Sequence, residues 1–186
     1  MNNGEWKKQL KTQKGDYAES LVKAHLIENG YHVYSIENDG PHQFDFMLYH
    51  PDDNKLRLCD VKAKARRESR DDTGIDKRFY DEYTEHSKTY NIDFTLIFVD
   101  EKAKQIYGNT ITELDSHGNF IQDGYVYWEL QHMIKLRNLT DEEVEELNKY
   151  NQRKPCYDGK IETIDKEKLA ELYNHFKENK NASDRS

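Results

Sequence analysis

The sequence predicts an α/β fold: a small mixed central β-sheet with an αβββαβ core, flanked by helices and followed by a mainly helical C-terminal extension. Three observations carry this expectation. A helix-period stretch near the N-terminus is followed by three short β-rich runs. A second amphipathic stretch, from Gly74 to Asn91, comes next. It leads directly into the most apolar run of the chain, "DFTLIFVD" (93–100), which reads as a central buried strand.

In order along the chain, "DYAESLVKAHLIENG" places Ala18, Leu21, Val22 and Leu26 at helical spacing, and the Asn29-Gly30 pair is a stop signal. Asp16 and Glu19 fit a capping-box variant, with Asp16 as N-cap and Glu19 at the third helical position. "YHVYSI" (31–36) is short and β-rich, and "ENDGPH" is a loop by its Gly-Pro chemistry. "QFDFMLYH" (43–50) alternates as a strand, "PDDNK" turns, and "LRLCDVKA" returns, so a hairpin is expected. Ile75, Phe79, Tyr83, His86 and Tyr90 form the stripe of the second helix. "KQIYGNTI" and "GYVYWEL" read as added strands or a strand entering a helix. "LTDEEVEELNKYNQ" opens on a cap at Thr140, and "IDKEKLAELYNHFKENK" reads as a last amphipathic helix.

The chain has 186 residues, enough for one domain with a real core and some elaboration. The expected division is a core over 1–130, with its motif-bearing part at 14–100, and a helical extension over 131–186 packed on that core. No apolar run approaches the roughly 20 residues that a membrane helix needs. The basic N-terminus is not followed by an apolar stretch, so no secretory signal is expected. Cys59 and Cys156 are far apart and suggest neither a disulfide framework nor a zinc pattern, which fits a reducing, cytoplasmic setting. The sequon at Asn181 then has no role. Walker loops, G-x-G-x-x-G, G-x-S-x-G and paired histidine spacings do not occur.

Net charge is −8, but its distribution is uneven. "KKQLKTQK" (7–14) carries four lysines and no acid, and "KAKARRESR" (62–70) carries five basic residues against Glu68 alone. Such stretches suggest a focused anionic partner, although a solvated charged face is the commoner meaning of any single run.

Placed on a pleat, Leu56, Leu58, Asp60 and Lys62 share one face of the strand. Asp45, between Phe44 and Phe46, is a second carboxylate in an apolar setting. An unpaired buried charge costs several kcal/mol, so something must compensate for these groups. A divalent metal would do so, because two carboxylates on adjacent strands offer hard oxygen ligands to Mg²⁺. Lys62 beside them could orient or deprotonate a water, or neutralise developing charge. The pattern [DE]-x-K occurs six times in the chain, but only "DVK" lies within an apolar strand pattern. An isolated D-x-K is more often a simple salt bridge; the surrounding assembly gives this one its interest. Glu19 continues the stripe of the first helix and, beyond its capping role, could complete or adjust a metal site.

This ordered set (a helical Glu19, then "FD" with Asp45, then "DVK" with Asp60 and Lys62, within αβββαβ) resembles the PD-(D/E)xK nuclease superfamily over about residues 14–100. Gln43-Phe44 stand where the family name places a proline. The resemblance implies Mg²⁺-dependent phosphodiester hydrolysis, most plausibly of DNA, with Mn²⁺ able to substitute. It also implies catalytic Glu19, Asp45, Asp60 and Lys62, with Asp45, Asp60 and Glu19 toward the metal; a homodimer is compatible with it. Lys14, Lys64, Arg66, Arg67, Lys77 and Arg78 are the candidates for nucleic-acid contact, together with Tyr80, Tyr83 and Lys88 on the second helix and, more weakly, His42. Plain packing is the commoner role for Phe79, Tyr83 and Tyr90. Two other classes compete: a non-catalytic nucleic-acid-binding module on the same fold, and a protein-interaction factor or inhibitor whose acidic "DEEVEEL" surface mimics DNA.

Overall fold

The structure is a computed structural model that describes residues 9–35 and 43–151. Its main sheet has six strands in the order β1-β2-β3-β5-β6-β9. These are β1 (His32–Ser35), β2 (Phe46–His50), β3 (Lys55–Lys62), β5 (Asp93–Asp100), β6 (Gln105–Thr110) and β9 (Ile134–Asn138). β3 and β5 run parallel, and the other neighbours are antiparallel, so the sheet is mixed. A second sheet joins β4 (Asp72–Asp76), β8 (Tyr125–Glu129) and β7 (Phe120–Gln122). The helices are α1 (Leu10–Glu28), α2 (Lys77–Tyr90), α3 (Ile111–Ser116) and α4 (Asp141–Lys149).

The mixed α/β sheet flanked by helices is as the sequence predicts, and β3 and β5 have the expected bounds. Both are buried on two faces, which is why they read as near-continuous apolar runs rather than alternating ones. On one face of the sheet, Ala18, Val22 and Leu26 of α1 and Leu147 of α4 join Phe46, Cys59, Val61, Ile97 and Val99. On the other, Leu58, Phe94, Leu96 and Phe98 pack with Tyr83 of α2, Leu114 of α3 and Trp128 of β8. The two β3 stripes, 58 against 59 and 61, therefore face different cores, as the pleat requires.

Several expectations need correction. α1 begins at Leu10, so Asp16 lies inside the helix and is not its N-cap, and Glu19 is not in a capping box; the N-cap is Gln9, without a side-chain bond. The stripe assigned to the second helix includes Ile75, which instead belongs to β4. α2 starts only at Lys77, capped by Asp76, whose carboxylate accepts from Arg78 N at 2.9 Å. Tyr83 is buried as packing requires, whereas Phe79 and Tyr90 are exposed. "KQIYGNTI" is β6 running into α3, and Thr140 and Glu143 form the expected capping box of α4. Beyond residue 130 the described chain supplies β9, which pairs with β6 as the sixth strand of the main sheet, as well as α4. His42, Cys156, Asn181 and the predicted last helix lie outside the described residues.

Gly74 marks a close approach between β4 and β8. A Cβ there would stand 2.1 Å from the Val126 carbonyl oxygen and 2.8 Å from Tyr127 Cδ1. Backbone cannot move aside as a flexible side chain can. Gly74→Ala is expected to destabilise the fold by about 3 kcal/mol, the upper range for overpacking, measured as a lower urea midpoint with unchanged m-value.

Candidate active site

The strand β3 brings Asp60 and Lys62 to the α2 side of the sheet, two residues apart on one face. Asp60 is only 4 % exposed. Its Oδ2 lies 2.6 Å from Lys62 Nζ, and the Tyr83 side chain lies beside the same carboxylate. Lys62 is less enclosed, at 27 % side-chain exposure, and its ammonium stands 4.9 Å from the centre of the Phe79 ring. A cation over an aromatic face is attracted by the ring quadrupole. Lys62 thus bridges a buried acid and an exposed ring.

Asp45 immediately precedes β2 and is held against β3 by both backbone and side chain. Its N–H donates to the Cys59 carbonyl at 2.9 Å, and its Oδ2 accepts from Val61 N at 2.6 Å. The antiparallel register, with Phe46 opposite Cys59, sets this position. Asp45 and Asp60 therefore project from adjoining strands at the same end of the hairpin.

Glu19 arrives from α1, one turn before Val22, and its environment ties it electrostatically to the strands. Burial raises its carboxyl, and the charges of Asp45, Asp16 and Asp60 raise it further against Lys62, to about 8. Burial also raises Asp60; Lys62 opposes this and Asp45 adds to it, leaving Asp60 at about 6 despite its ion pair. Desolvation outweighs the Coulomb gain here, as is usual for an enclosed ion pair. Tyr83, buried beside Asp60, is raised well above the ordinary phenol range, first by burial and then by the Asp60 charge, so it remains a donor.

Among the described residues, no group of three or more His, Cys, Asp or Glu side chains is gathered closely enough to form a ready metal cage. Two carboxylates nevertheless suit Mg²⁺, which keeps waters and substrate phosphates in the rest of its shell. The donor chemistry fits: hard carboxylate oxygens crowded by like charge are groups whose ionised form a divalent cation would stabilise.

The predicted nucleic-acid contacts fare differently, because acids from elsewhere in the fold take up several cations. Lys14 Nζ donates to Glu101 Oε1 at 2.7 Å and to Asn151 Oδ1 at 2.8 Å. Lys64 Nζ donates to the Gly74 carbonyl at 2.8 Å and lies 4.7 Å from the Tyr125 ring centre. Arg66 bonds the fully buried Asp100 through Nε at 2.9 Å. Burial would raise Asp100, but the N–H groups of Ala103 and Arg66 and the Arg66 guanidinium hold it below the ordinary carboxylate value. Arg67 forks onto Asp72 and stacks 3.9 Å from the Tyr127 ring centre. Lys77 pairs with Asp81, and Arg78, largely exposed, pairs with Asp76. Tyr80 donates to Asp115 at 2.8 Å. Lys88 is exposed near the end of α2.

Residues 102–174 match the family described as "Pepsin inhibitor-3-like repeated domain", a span covering less than half of the chain and none of Glu19, Asp45, Asp60 or Lys62. No curated protein matches the sequence. Among solved structures, the Holliday junction resolvase Hjc of Archaeoglobus fulgidus is similar with a TM-score of 0.47 and 9 % identity over 63 % of this chain and 90 % of that one. D212, a nuclease from a fusselovirus, is similar with a TM-score of 0.44 and 13 % identity over 74 % of this chain and 93 % of that one. The reading of the site rests on its own geometry.

Sequence reasoning missed Tyr83 as the neighbour of Asp60 and Phe79 as the ring beneath Lys62. The spacing of Phe79 and Tyr83, one helical turn apart and just after the strand, was the available signal.

Glu19 and Asp60 bind protons more tightly in the folded chain than they would unfolded, where carboxyls titrate near 4. From about pH 4 to about pH 8 the folded state carries the excess protons, so these groups make stability fall as pH rises. Glu19→Gln is expected to flatten that dependence. Melting curves between about pH 5 and 9 should show the wild type losing ground relative to this variant; parallel curves would refute the assignment.

Proposed function

We propose that the protein is a metal-dependent nuclease that hydrolyses the phosphodiester bonds of DNA, with Mg²⁺ held by Asp45 and Asp60. The observation that supports this best is the buried Asp60–Lys62 pair at the end of β3 with Asp45 fixed beside it. A carboxylate at 4 % exposure is costly to retain without a task, and here its partner cation reaches toward solvent.

In this reading Asp45 and Asp60 supply the oxygen ligands, and backbone donation from Val61 N keeps Asp45 oriented toward its neighbour strand. When bound, Mg²⁺ or Mn²⁺ supplies positive charge that polarises the scissile phosphoryl group. Lys62 donates hydrogen bonds from its ammonium to the attacking water or to the phosphoryl oxygen that gains negative charge, stabilising the transition state. Tyr83 fixes the Asp60 carboxylate from the core side. Glu19 orients a water or adjusts the ligand set from α1. Water oxygen attacks phosphorus and gives up a proton to solvent, the bridging P–O bond breaks, and the leaving oxygen takes a proton from solvent.

One observation favours a non-catalytic binding module as the second reading: the Lys62 ammonium stands 2.6 Å from Asp60 Oδ2, so the acid has a cation beside it without a metal.

The test is incubation with linear, supercoiled, branched and single-stranded DNA and with RNA, in Mg²⁺, Mn²⁺ or EDTA. Cleavage is expected with either metal and not in EDTA. Asp45→Asn, Asp60→Asn and Lys62→Ala should each lower the rate by at least about 100-fold, the scale on which a positioned catalytic group contributes, while Lys62→Ala still binds. Binding without cleavage under every metal would favour the second reading, and no binding at all would refute both. Metal removal has its own readout: at about pH 8, Mg²⁺ should raise the melting temperature of the wild type and not of the Asp45→Asn, Asp60→Asn double variant.

A further inference from the structure

We infer that the first turn of α2 and the second sheet form a stacking platform for unpaired nucleotides beside the cleaved linkage, so that the substrate carries a single-stranded segment there. This inference rests on the nuclease reading and names the substrate class for it. Two exposed aromatic rings carry the argument. Phe79 is 42 % exposed and lies under the Lys62 ammonium at 4.9 Å. Tyr125 is 38 % exposed and lies under the Lys64 ammonium at 4.7 Å. Lys62 and Lys64 are two residues apart, on either side of a tight turn in which Lys64 N donates to the Lys62 carbonyl at 2.9 Å. Two cation–ring pairs thus stand in succession, the first of them on the proposed catalytic lysine.

The rings are held by rigid elements rather than by free loops. Tyr125 is the β8 partner of Asp76, which caps α2, and Lys77 N donates to the Gly124 carbonyl at 2.8 Å. The turn before β8 and the first turn of α2 are therefore locked together. Arg78, 84 % exposed, stands at this junction, anchored on Asp76 by bonds of 3.0 and 2.9 Å. Tyr127 backs Tyr125 at 6.0 Å.

An exposed ring with an ammonium beside it offers a base a face to stack on and its phosphate a counter-charge, the combination that single-strand channels use. A continuous duplex keeps its bases inside its own stack and cannot use such rings. Tyr34, exposed on β1, has no cation over its ring among the described contacts and serves as a control.

The test measures binding, in EDTA, and cleavage, in Mg²⁺, of single-stranded, splayed-fork and fully duplex DNA by the wild type and by Phe79→Ala, Tyr125→Ala, Tyr125→Phe and Tyr34→Ala. The wild type should prefer single-stranded and forked DNA. Phe79→Ala and Tyr125→Ala should each weaken that binding by about tenfold, with duplex binding unchanged. Tyr125→Phe, which keeps the ring, and Tyr34→Ala should behave as wild type, and matched melting temperatures exclude a folding defect. If the wild type cleaves duplex as readily as forks, or if the ring variants lose duplex and single strands equally, the platform is refuted while the nuclease reading stands. Failure of the wild type to bind or cleave any of the three refutes both.

Discussion

The site depends on how the charge of Asp60 is tolerated inside the fold. Burial drives this carboxylate toward its neutral form, and Lys62 and Tyr83 oppose that drive from the same face of β3. The balance leaves Asp60 at about 6, poised rather than permanently charged. Each compensating group comes with a structural condition. Lys62 must be two residues further on, so that the pleat returns it to the same face. Tyr83 must be brought by α2, which in turn must be anchored at Asp76 and packed against Phe94, 4.0 Å away ring to ring. Asp45 must be clamped by β3 backbone. The hairpin, the parallel β3–β5 step and α2 are thus all tied to one acid.

The basic stretches illustrate a second constraint. "KAKARRESR" reads as an anion-binding run, yet Arg66 and Arg67 are committed to Asp100 and Asp72, and Lys64 to the Gly74 carbonyl. These contacts fasten the second sheet to the main one: Asp72 and Gly74 lie in β4, whereas Asp100 ends β5. The run leaves β3 and becomes the joint between two sheets. Positive charge near the site is then concentrated in Lys62, Lys64 and Arg78, each paired with a ring, an amide oxygen or an acid that fixes its direction. Function and assembly draw on the same segment because it is the continuation of β3.

A good deal was legible in the residues themselves. β3 and β5 announce themselves because strands buried on both faces must be apolar throughout, so Asp60 within "LRLCDVK" is conspicuous. The Thr140 cap and Glu143 are local interactions within one turn and are readable for the same reason. β4 was not legible: "DTGID" is short, its aspartates and Gly74 are poor strand formers, and Ile75 fits the stripe of the following helix; its burial follows from pairing with β8 and from the Arg67–Asp72 fork. The early start of α1 was hidden because "LKTQKG" has no apolar stripe; Lys14, within it, finds its partner 87 positions away at Glu101.

By itself the sequence determined the α/β class, the hairpin that carries Asp45 and Asp60, and the common face of Asp60 and Lys62, because periodicity and pleat are properties of consecutive residues. Only the tertiary structure decided which cations remain available, that Tyr83 and Phe79 flank the pair from α2, and that Glu19 shares a field with strands it never touches in sequence. Those outcomes depend on burial and on charges brought together across the fold, and both quantities exist only once the chain has closed on itself.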